Sequence, residues 1–141
     1  MKTVAFNPFY HLEYAREVSE ASVSADTKGI VAVDSSGEPQ GIVLLDSWSE
    51  TAVTAHISIT NPMALRTLHT ETFRYVFETC GKLMIIGNVA SNNTKARRLN
   101  RHFGFTELVR IPNGHSLGID IIVLQLLASE CQYFNKQREA A

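Results

Sequence analysis

Three apolar segments follow one another in the first half of the chain, and only short polar stretches separate them. Residues 28–34 read KGIVAVD, residues 41–48 read GIVLLDSW, and residues 51–60 read TAVTAHISIT. Alternating and β-branched segments of this length are typical of strands, and a turn such as SSGEPQ at 35–40 joins two strands as a hairpin. The sequence therefore predicts a three-stranded antiparallel meander.

The hydrophobic period changes directly after the meander. Asn61 and Pro62 are typical of the start of a helix, because an asparagine side chain caps free amides and a proline needs no hydrogen bond there. Gly81 is the expected end of this helix. Later segments alternate between strand and helix: a strand at 82–90, a helix at 93–103, and strands at 105–111 and 119–127 joined by a turn at 112–114.

A short strand at 3–6 and a helix at 9–22 precede the meander. The element order is then β-α-β-β-β-α-β-α-β-β, which is typical of a mixed α/β fold. A strand-helix-strand connection within one sheet runs parallel with a right-handed crossover. We therefore predict that strands 51–60 and 82–90 are parallel.

Size and charge limit the classes of protein to consider. The chain has 141 residues, of which 45% are hydrophobic and 19% charged, which is the balance of one globular domain. We expect a single domain at 1–127 and a polar C-terminal tail at 128–141. The net charge of -1 provides no overall attraction to nucleic acid or membrane. We expect neither as a partner.

Several kinds of site and location lack support in the sequence. No apolar run approaches the roughly 18 residues of a spanning helix, and the first residues show no signal-peptide core, so a cytoplasmic protein is expected. Two cysteines are too few for a disulfide framework. Phosphate-loop, dinucleotide, HExxH and CxxC motifs do not occur, and the histidines are scattered, so no metal site is expected.

The helix at 93–103 carries the most specific local pattern. Asn93, Ala96, Leu99, Gly104 and Phe105 are spaced as N-x-x-A-x-x-L-x-x-x-x-G-F after a buried strand. This resembles the N-x-x-A-x-x-L-Y-x-x-x-G-F motif of the Gcn5-related N-acetyltransferase (GNAT) family, whose element order resembles residues 28–127. The resemblance implies a GNAT-like twisted sheet. The same residues also fit an ordinary helix with a cap, a buried stripe and a glycine end.

The resemblance implies acetyl-CoA as the cofactor. Family members hold its pyrophosphate with a loop reading Q/R-x-x-G-x-G/A at the start of the helix after the fourth strand. The aligned residues 66–71 read RTLHTE, so the arginine is present and both glycines are missing. The cofactor-binding candidates here are Arg66, Thr67, His69 and Thr70, with Asn61 beside them. Their alternative interpretation is an ordinary helix start with a solvated face.

The fourth strand supplies the expected catalytic base. Family members use a glutamate on this strand, or a water chain, to take the proton from the attacking amine. This strand holds His56, and a histidine ordinarily titrates near pH 6.5, which suits a general base. The resemblance also places the pantetheine arm of coenzyme A along Ile57, Ser58, Ile59 and Thr60. In the alternative, His56 is a half-exposed strand histidine without a role.

The helix at 93–103 bears on both proton transfer and cofactor binding. Asn100 occupies the position of the family's general acid, a tyrosine, and it cannot give a proton to a leaving thiolate. The cofactor-binding candidates of this helix are Asn93, Arg97 and Asn100. A basic patch on its solvent side, expected for the adenosine phosphate, comprises Lys95, Arg97, Arg98, Arg101 and His102. A plain solvated face and a nucleic-acid contact are the alternatives.

Two functional hypotheses remain open, because a fold does not decide between them. The first is an acetyl transferase that acts on an amine of a small molecule or a protein. The second is a catalytically inactive GNAT-fold protein with a structural, assembly or binding role, which the missing glycines and tyrosine favour. With its degenerate loop, the chain is similar in type to acetyltransferase-like proteins encoded by tailed bacteriophages. Association with a virion is therefore a further expected location. A homo-oligomer is also an expected state.

Overall fold

A computed structural model describes residues 1–135 and contains a mixed sheet of seven strands in the spatial order β1-β2-β3-β4-β5-β7-β6. The strands are β1 (Lys2–Ala5), β2 (Lys28–Val33), β3 (Pro39–Asp46), β4 (Ala52–Ile59), β5 (Met84–Ala90), β6 (Thr106–Ser116) and β7 (Ile119–Leu127). The α-helices are α1 (Pro8–Val18), α2 (Leu65–Phe73) and α3 (Thr94–Phe103). A 3-10 turn, Pro62–Ala64, leads into α2, and a π-helix, Arg74–Thr79, continues it. The predicted mixed α/β class and element order are confirmed.

The meander forms as predicted, and its first turn is stabilised by its own hydrogen bonds. Asp34 Oδ1 accepts from the backbone N–H groups of Ser36 and Glu38 at 2.8 and 3.0 Å. Gly37 has a φ of 83°, a conformation that glycine adopts without strain. β2, β3 and β4 then pair antiparallel in chain order.

β4 and β5 are parallel, as predicted, and they separate after a short contact. Their pairing runs only from Ala52 opposite Met84 to Thr54 opposite Ile86. Beyond that point β4 stays paired with β3 as far as Ile59, whereas β5 stays paired with β7 as far as Ala90. The sheet is therefore split between two supported strands, and the gap lies at their carboxyl ends.

Each face of the sheet buries its own cluster of apolar side chains. α2 and α3 cover one face, where Leu68 and Phe103 pack with Val53 and other strand residues. α1 covers the other face, where Ala15 packs with Leu44 and its neighbours. Side chains alternate along a strand, so neighbouring residues of one strand belong to different clusters.

α3 begins and ends as its sequence predicts. Asn93 Oδ1 accepts from the N–H of Ala96 at 3.1 Å, which caps the helix. Gly104 ends it with a φ of 101°, in the left-handed region that favours glycine. Phe103 is buried, and Ala96 and Leu99 pack against the same core.

α1 is shorter than the helix predicted at 9–22. It ends at Val18 because Ser19 takes an extended backbone. The Ser19 hydroxyl then accepts from the N–H of Ala21 at 3.1 Å, a local bond that competes with helical bonding. The segment after α1 therefore runs as irregular chain along the edge of the gap.

The last hairpin turns later than predicted. β6 runs through the expected turn at 112–114 and reaches Ser116, and the chain reverses at Leu117 and Gly118. Asp120 Oδ1 accepts from the N–H of Asn113 at 2.9 Å, and Asn113 Oδ1 accepts from the N–H of Gly118 at 2.7 Å. These side-chain bonds within the hairpin satisfy backbone groups of an irregular stretch of β6, and a turn motif at 112–114 does not indicate them.

The segment that follows β7 packs against the domain for as far as the structure describes it. Cys131 is fully buried and Phe134 nearly so, and both belong to the core beneath α2. Residues 136–141 of the expected tail lie outside the described residues. Within residues 1–135, no helix has the length and apolar character that a bilayer crossing requires.

Candidate active site

The gap between β4 and β5 opens on a cavity of about 1000 Å³. β4 contributes residues 55–59 and β5 contributes residues 87–90, the stretches that have left the parallel pairing. α3, the segment after α1, the helix start at Pro62 and Leu65, and the β6–β7 hairpin form the other walls. The strand separation is therefore what creates the space for a ligand.

The cavity has an apolar wall and a polar wall because β4 alternates. Ala55, Ile57 and Ile59 pack with the cluster under α2 and α3. His56 lies across from Leu44, which belongs to the cluster under α1, so His56 is on the opposite face. A ligand in the gap would contact aliphatic side chains on one side and an imidazole on the other.

His56 is paired with Asp46 at the end of β3. The distance from His56 Nε2 to Asp46 Oδ2 is 2.9 Å, and the side chains are 29% and 24% exposed. Asp46 Oδ1 also accepts from the Ser47 hydroxyl at 3.1 Å. A histidine held beside a cavity in this way can take a proton from a bound amine.

The start of the helix after β4 has its amides engaged within the protein. The N–H groups of Thr60 and Asn61 both donate to the Gln40 carbonyl, at 3.1 and 3.0 Å. The next donors are the amides of Met63, Ala64 and Leu65, which bond to Asn61 Oδ1, the Asn61 carbonyl and the Pro62 carbonyl, respectively. A helix start binds phosphate through free amides, and here those amides are already used.

Residues 66–71 lie inside or at the head of α2 rather than in a loop. Arg66 is exposed and Thr67 and Thr70 are half-buried, and none of them is among the residues that line the cavity. The family's loop therefore has no counterpart at these positions, because a tight 3-10 turn leads from β4 straight into the helix.

His69 is a core residue, which corrects the expectation that its side chain faces a cofactor. The residue is 4% exposed, and its Nδ1 donates to the Leu65 carbonyl at 2.7 Å. The pKa of His69 is lowered to about 4, mainly by burial; the hydrogen bond to Leu65 opposes this effect and the nearby His102 adds to it. The helical phase places position 69 beside Leu68 and Phe73 on the inner side of α2.

Arg97 anchors α3 and does not line the cavity. Its Nε and Nη2 donate to the Glu107 carboxylate at 2.9 and 3.1 Å, and its Nη1 donates to the Ser91 carbonyl at 3.0 Å. The hydrogen bonds between Arg97 and Glu107 raise the pKa of Arg97 and lower that of Glu107. Of the predicted basic patch, Lys95, Arg98 and His102 are the members on the cavity side.

The structure brings together part of the predicted site. The predicted residues that line the cavity are His56, Ile57, Ser58, Ile59, Asn93 and Asn100. The predicted residues outside its lining are Thr60, Arg66, Thr67, His69, Thr70 and Arg97. Thr60 directly follows β4, and its hydroxyl contacts the Tyr14 hydroxyl at 2.9 Å and donates to the Gln40 carbonyl at 3.1 Å.

Three residues near the cavity were not predicted from the sequence. Asp46 contacts His56, and a hairpin register would have indicated it, because both residues lie on one face of β3 and β4. Glu20 and His115 line the cavity and approach each other to 3.5 Å. Their pairing depends on the early end of α1 and the late turn of the last hairpin, which the sequence pattern does not show.

No protein-family model matches the sequence, and no curated protein does. Solved structures match it well. The spermidine/spermine N-acetyltransferase SpeG from Vibrio cholerae, in complex with manganese ions, aligns with a TM-score of 0.77 at 19% identity over 96% of this chain and 95% of that chain. Mutant forms of that enzyme align with a TM-score of 0.79 at 18% identity over 96% and 98%. A chimera of SpeG aligns with a TM-score of 0.68 at 22% identity over 79% and 70%.

These alignments show the fold. The chain has the GNAT fold that the pattern at 93–105 predicted, including the seven-stranded sheet and its split between β4 and β5. The expected likeness to bacteriophage-encoded proteins stays a prediction.

Proposed function

We propose that this protein moves an acetyl group from acetyl-CoA to an amine of a small molecule or a protein. The observation that carries the proposal is the gap between β4 and β5, which opens on the cavity with His56 on its wall. The aligned SpeG structures are those of spermidine/spermine N-acetyltransferases, which supports transfer to an amine. Direct transfer of the acetyl group requires mainly that the two reactants are held in position and that the amine is neutral.

The separated edge of β4 suits the extended arm of the donor. Residues 55–59 have lost their parallel partner, so the backbone groups on that side can pair with the amides of a bound chain. Ile57 and Ile59 offer an apolar surface below it. Acetyl-CoA would supply an acetyl thioester at this edge.

The phosphates of the donor fit less well. The amides that would ordinarily receive them are bonded to Gln40 and Asn61. Lys95 and Arg98 are exposed cations on the cavity side of α3 and take over this role in our proposal. Binding through exposed cations is weak and is screened by salt, so we expect a low affinity for acetyl-CoA.

His56 is the proposed general base. It takes a proton from the ammonium group of the acceptor, and the neutral nitrogen can then attack the thioester carbonyl. Asn100 lines the cavity and has an amide but no titratable proton. Solvent is therefore the proposed proton source for the leaving thiolate.

The charged side chains that line the cavity indicate which kind of amine it can accept. Among the lining residues of the described chain, Glu20 is the one carboxylate, whereas Lys95 and Arg98 are cations. This balance favours an acceptor with one amine over a polycation such as spermidine, because a polycation needs several anionic contacts. A cytoplasmic or virion-associated location and a homo-oligomer stay predictions.

The test combines calorimetry with acetyl-CoA and an assay of amine-dependent coenzyme A release. The acceptors are spermidine, spermine, simple mono-amines and a peptide with a free amino terminus. Gly87→Val should weaken binding, because Gly87 lines the cavity and an added Cβ is already in contact with Leu124 and with Phe105 of the lining, so the further methyl groups must displace these side chains or occupy cavity space. Gly87→Ala is the matched control, since the added Cβ lies 3.8 Å from the nearest atom, Leu124 Cδ1. Absence of both binding and release at millimolar acetyl-CoA would overturn the proposal and favour a structural, assembly or binding role.

A further inference from the structure

We propose that Asp46 is a positioning residue that keeps His56 in one tautomer, with the proton on Nε2 and Nδ1 offered to the acceptor amine. The inference rests on the proposed function, because it assigns the partner of the proposed base. It concerns a contact of this chain's own residues that no sequence motif indicated.

The contact is a diagonal pair across two antiparallel strands. Asp46 lies opposite Thr54, and His56 lies opposite Leu44, so the two residues are offset by one pair on the same face. Side chains at this offset can reach each other when one of them is long or aromatic. The Nε2–Oδ2 distance of 2.9 Å is that of a charge-assisted hydrogen bond.

The contact decides which nitrogen of a neutral His56 carries the proton. An ionised carboxylate only accepts hydrogen bonds, so Nε2 must be the donor. Nδ1 has no hydrogen-bond partner among residues 1–135, and the side chain lines the cavity. A ring in this tautomer presents a lone pair at Nδ1, which is the atom that a base needs.

Asp46 is itself held in place. The Ser47 hydroxyl donates to its other oxygen, Oδ1, at 3.1 Å. Ser47 has a φ of 52°, in the left-handed region that residues other than glycine rarely adopt. A strained backbone conformation beside a functional group persists only where the surrounding contacts hold it in place. This corner of the hairpin therefore fixes the carboxylate before any ligand arrives.

Other charged groups near the ring do not compete for it. Those that line the cavity with His56 are Glu20, Lys95, Arg98, His102 and His115. Within the described chain, none of them forms a hydrogen bond or ion pair with His56. When a proton moves from the acceptor nitrogen to Nδ1, the electron pair stays on that nitrogen. The resulting imidazolium then faces the Asp46 carboxylate.

The experiment compares Asp46→Ala and Asp46→Asn with the unsubstituted protein by nitrogen-15 NMR of the His56 ring and by steady-state kinetics. The His56 signals are assigned by their loss in His56→Ala. The matched control is Glu50→Gln, which removes a carboxylate from the turn of the same hairpin.

We expect one tautomer, with the proton on Nε2, in the unsubstituted protein and in Glu50→Gln, and a mixture in Asp46→Ala. We also expect Asp46→Ala to lower kcat by about 10- to 100-fold, a part of the effect of a general base, with KM for acetyl-CoA changed less than about twofold. Asp46→Asn loses the charge and can donate its amide N–H to Nε2, which favours the tautomer with the proton on Nδ1, so it should lower kcat at least as much as Asp46→Ala. Asp46→Asn should also change the pH profile of kcat, whereas the loss of a merely structural contact would leave that profile unchanged.

Identical tautomer populations in Asp46→Ala and the unsubstituted protein would overturn the inference. An unchanged kcat in an active Asp46→Ala protein would do so too. Failure of the proposed function is a different result, namely no acetyl transfer by the unsubstituted protein. In that case the NMR comparison still decides whether Asp46 sets the tautomer.

Discussion

The imidazole of His69 lies face to face with the phenyl ring of Phe103, with 3.6 Å between ring centroids and 19° between ring planes. His69 belongs to α2 and Phe103 to α3, so this stack joins the two helices that cover one face of the sheet. The Nδ1–H bond to the Leu65 carbonyl fixes the ring's orientation. Protonation would place a charge in this apolar contact, which is why burial lowers the pKa of His69.

The stack predicts that the protein loses stability in mild acid. The pKa of His69 is about 4 in the folded protein, whereas a histidine of the unfolded chain has its ordinary value of 6.5. Between pH 4 and pH 6.5 the unfolded chain therefore binds a proton that the folded chain excludes. The free energy of unfolding therefore rises with pH across this window and falls on acidification. The full shift corresponds to about 3 kcal/mol.

Urea unfolding at several values between pH 4 and pH 7 measures this effect. His69→Phe should flatten the pH dependence, because it keeps an aromatic ring against Phe103 and has no proton to bind. Burial also lowers the pKa of His11, so the informative quantity is the difference between the variant and the unsubstituted protein. The control is His115→Gln on the exposed hairpin, and an equal slope in all three proteins would contradict the prediction.

Substitutions of the neighbouring arginines Arg97 and Arg98 should have separate effects, one on stability and the other on acetyl-CoA binding. Arg97→Ala removes the bonds to Glu107 and to the Ser91 carbonyl, so it should lower the melting temperature. Arg98→Ala should leave the melting temperature nearly unchanged but weaken acetyl-CoA binding about two- to fivefold, the effect of one exposed charge pair. Arg101→Ala is the control for binding, because Arg101 is on the same helix but outside the cavity lining.

Calorimetry at low and high salt checks the binding half of this prediction. The affinity of the unsubstituted protein should fall as salt rises, and that of Arg98→Ala should fall less, because one screened contact is gone. A loss of binding in Arg97→Ala at full stability would instead return Arg97 to the cofactor site where the sequence placed it.

Gly29 should tolerate no side chain, because β2 and β3 approach closely there. A Cβ at Gly29 would lie 2.6 Å from the Val43 carbonyl oxygen and 2.9 Å from Phe6 Cβ. Since one of these atoms is backbone, Gly29→Ala should cost about 1–3 kcal/mol of stability. Gly87→Ala is the matched control, as its nearest contact is 3.8 Å. Equal denaturation midpoints for the two variants would contradict the prediction.

The sequence revealed those parts of the fold that depend on local chemistry. Asn93 and Gly104 cap α3 as predicted, and the parallel pairing of β4 with β5 followed from the helix between them. Such features need only neighbours in the chain, so spacing is enough to find them.

The remaining features depend on specific partners that lie in another element or on the other strand of a hairpin. The late turn of the last hairpin rests on the Asn113–Asp120 bond, and the role of Arg97 depends on Glu107, in a strand that follows its helix. The backbone amides of Thr60 and Asn61, before the helix that follows β4, are engaged by the carbonyl of Gln40, which lies in β3 and is far from this helix in sequence. The spacing of glycines and charges in the sequence does not indicate such partners. The sequence therefore predicted a phosphate site where the structure has a helix start with engaged amides.

The last prediction concerns His56 itself. If His56 is the base, His56→Ala should lower kcat by about 10²- to 10⁴-fold and change acetyl-CoA affinity little, because a general base acts in the transition state and not on the bound donor. The rise of kcat with pH that reports deprotonation of the base should disappear, and added imidazole should restore part of the rate. Thr54→Val is the matched control, since Thr54 lies on the same face of β4 outside the cavity lining. A kcat that stays unchanged in an active His56→Ala protein would remove the imidazole from the reaction and leave water as the proton carrier.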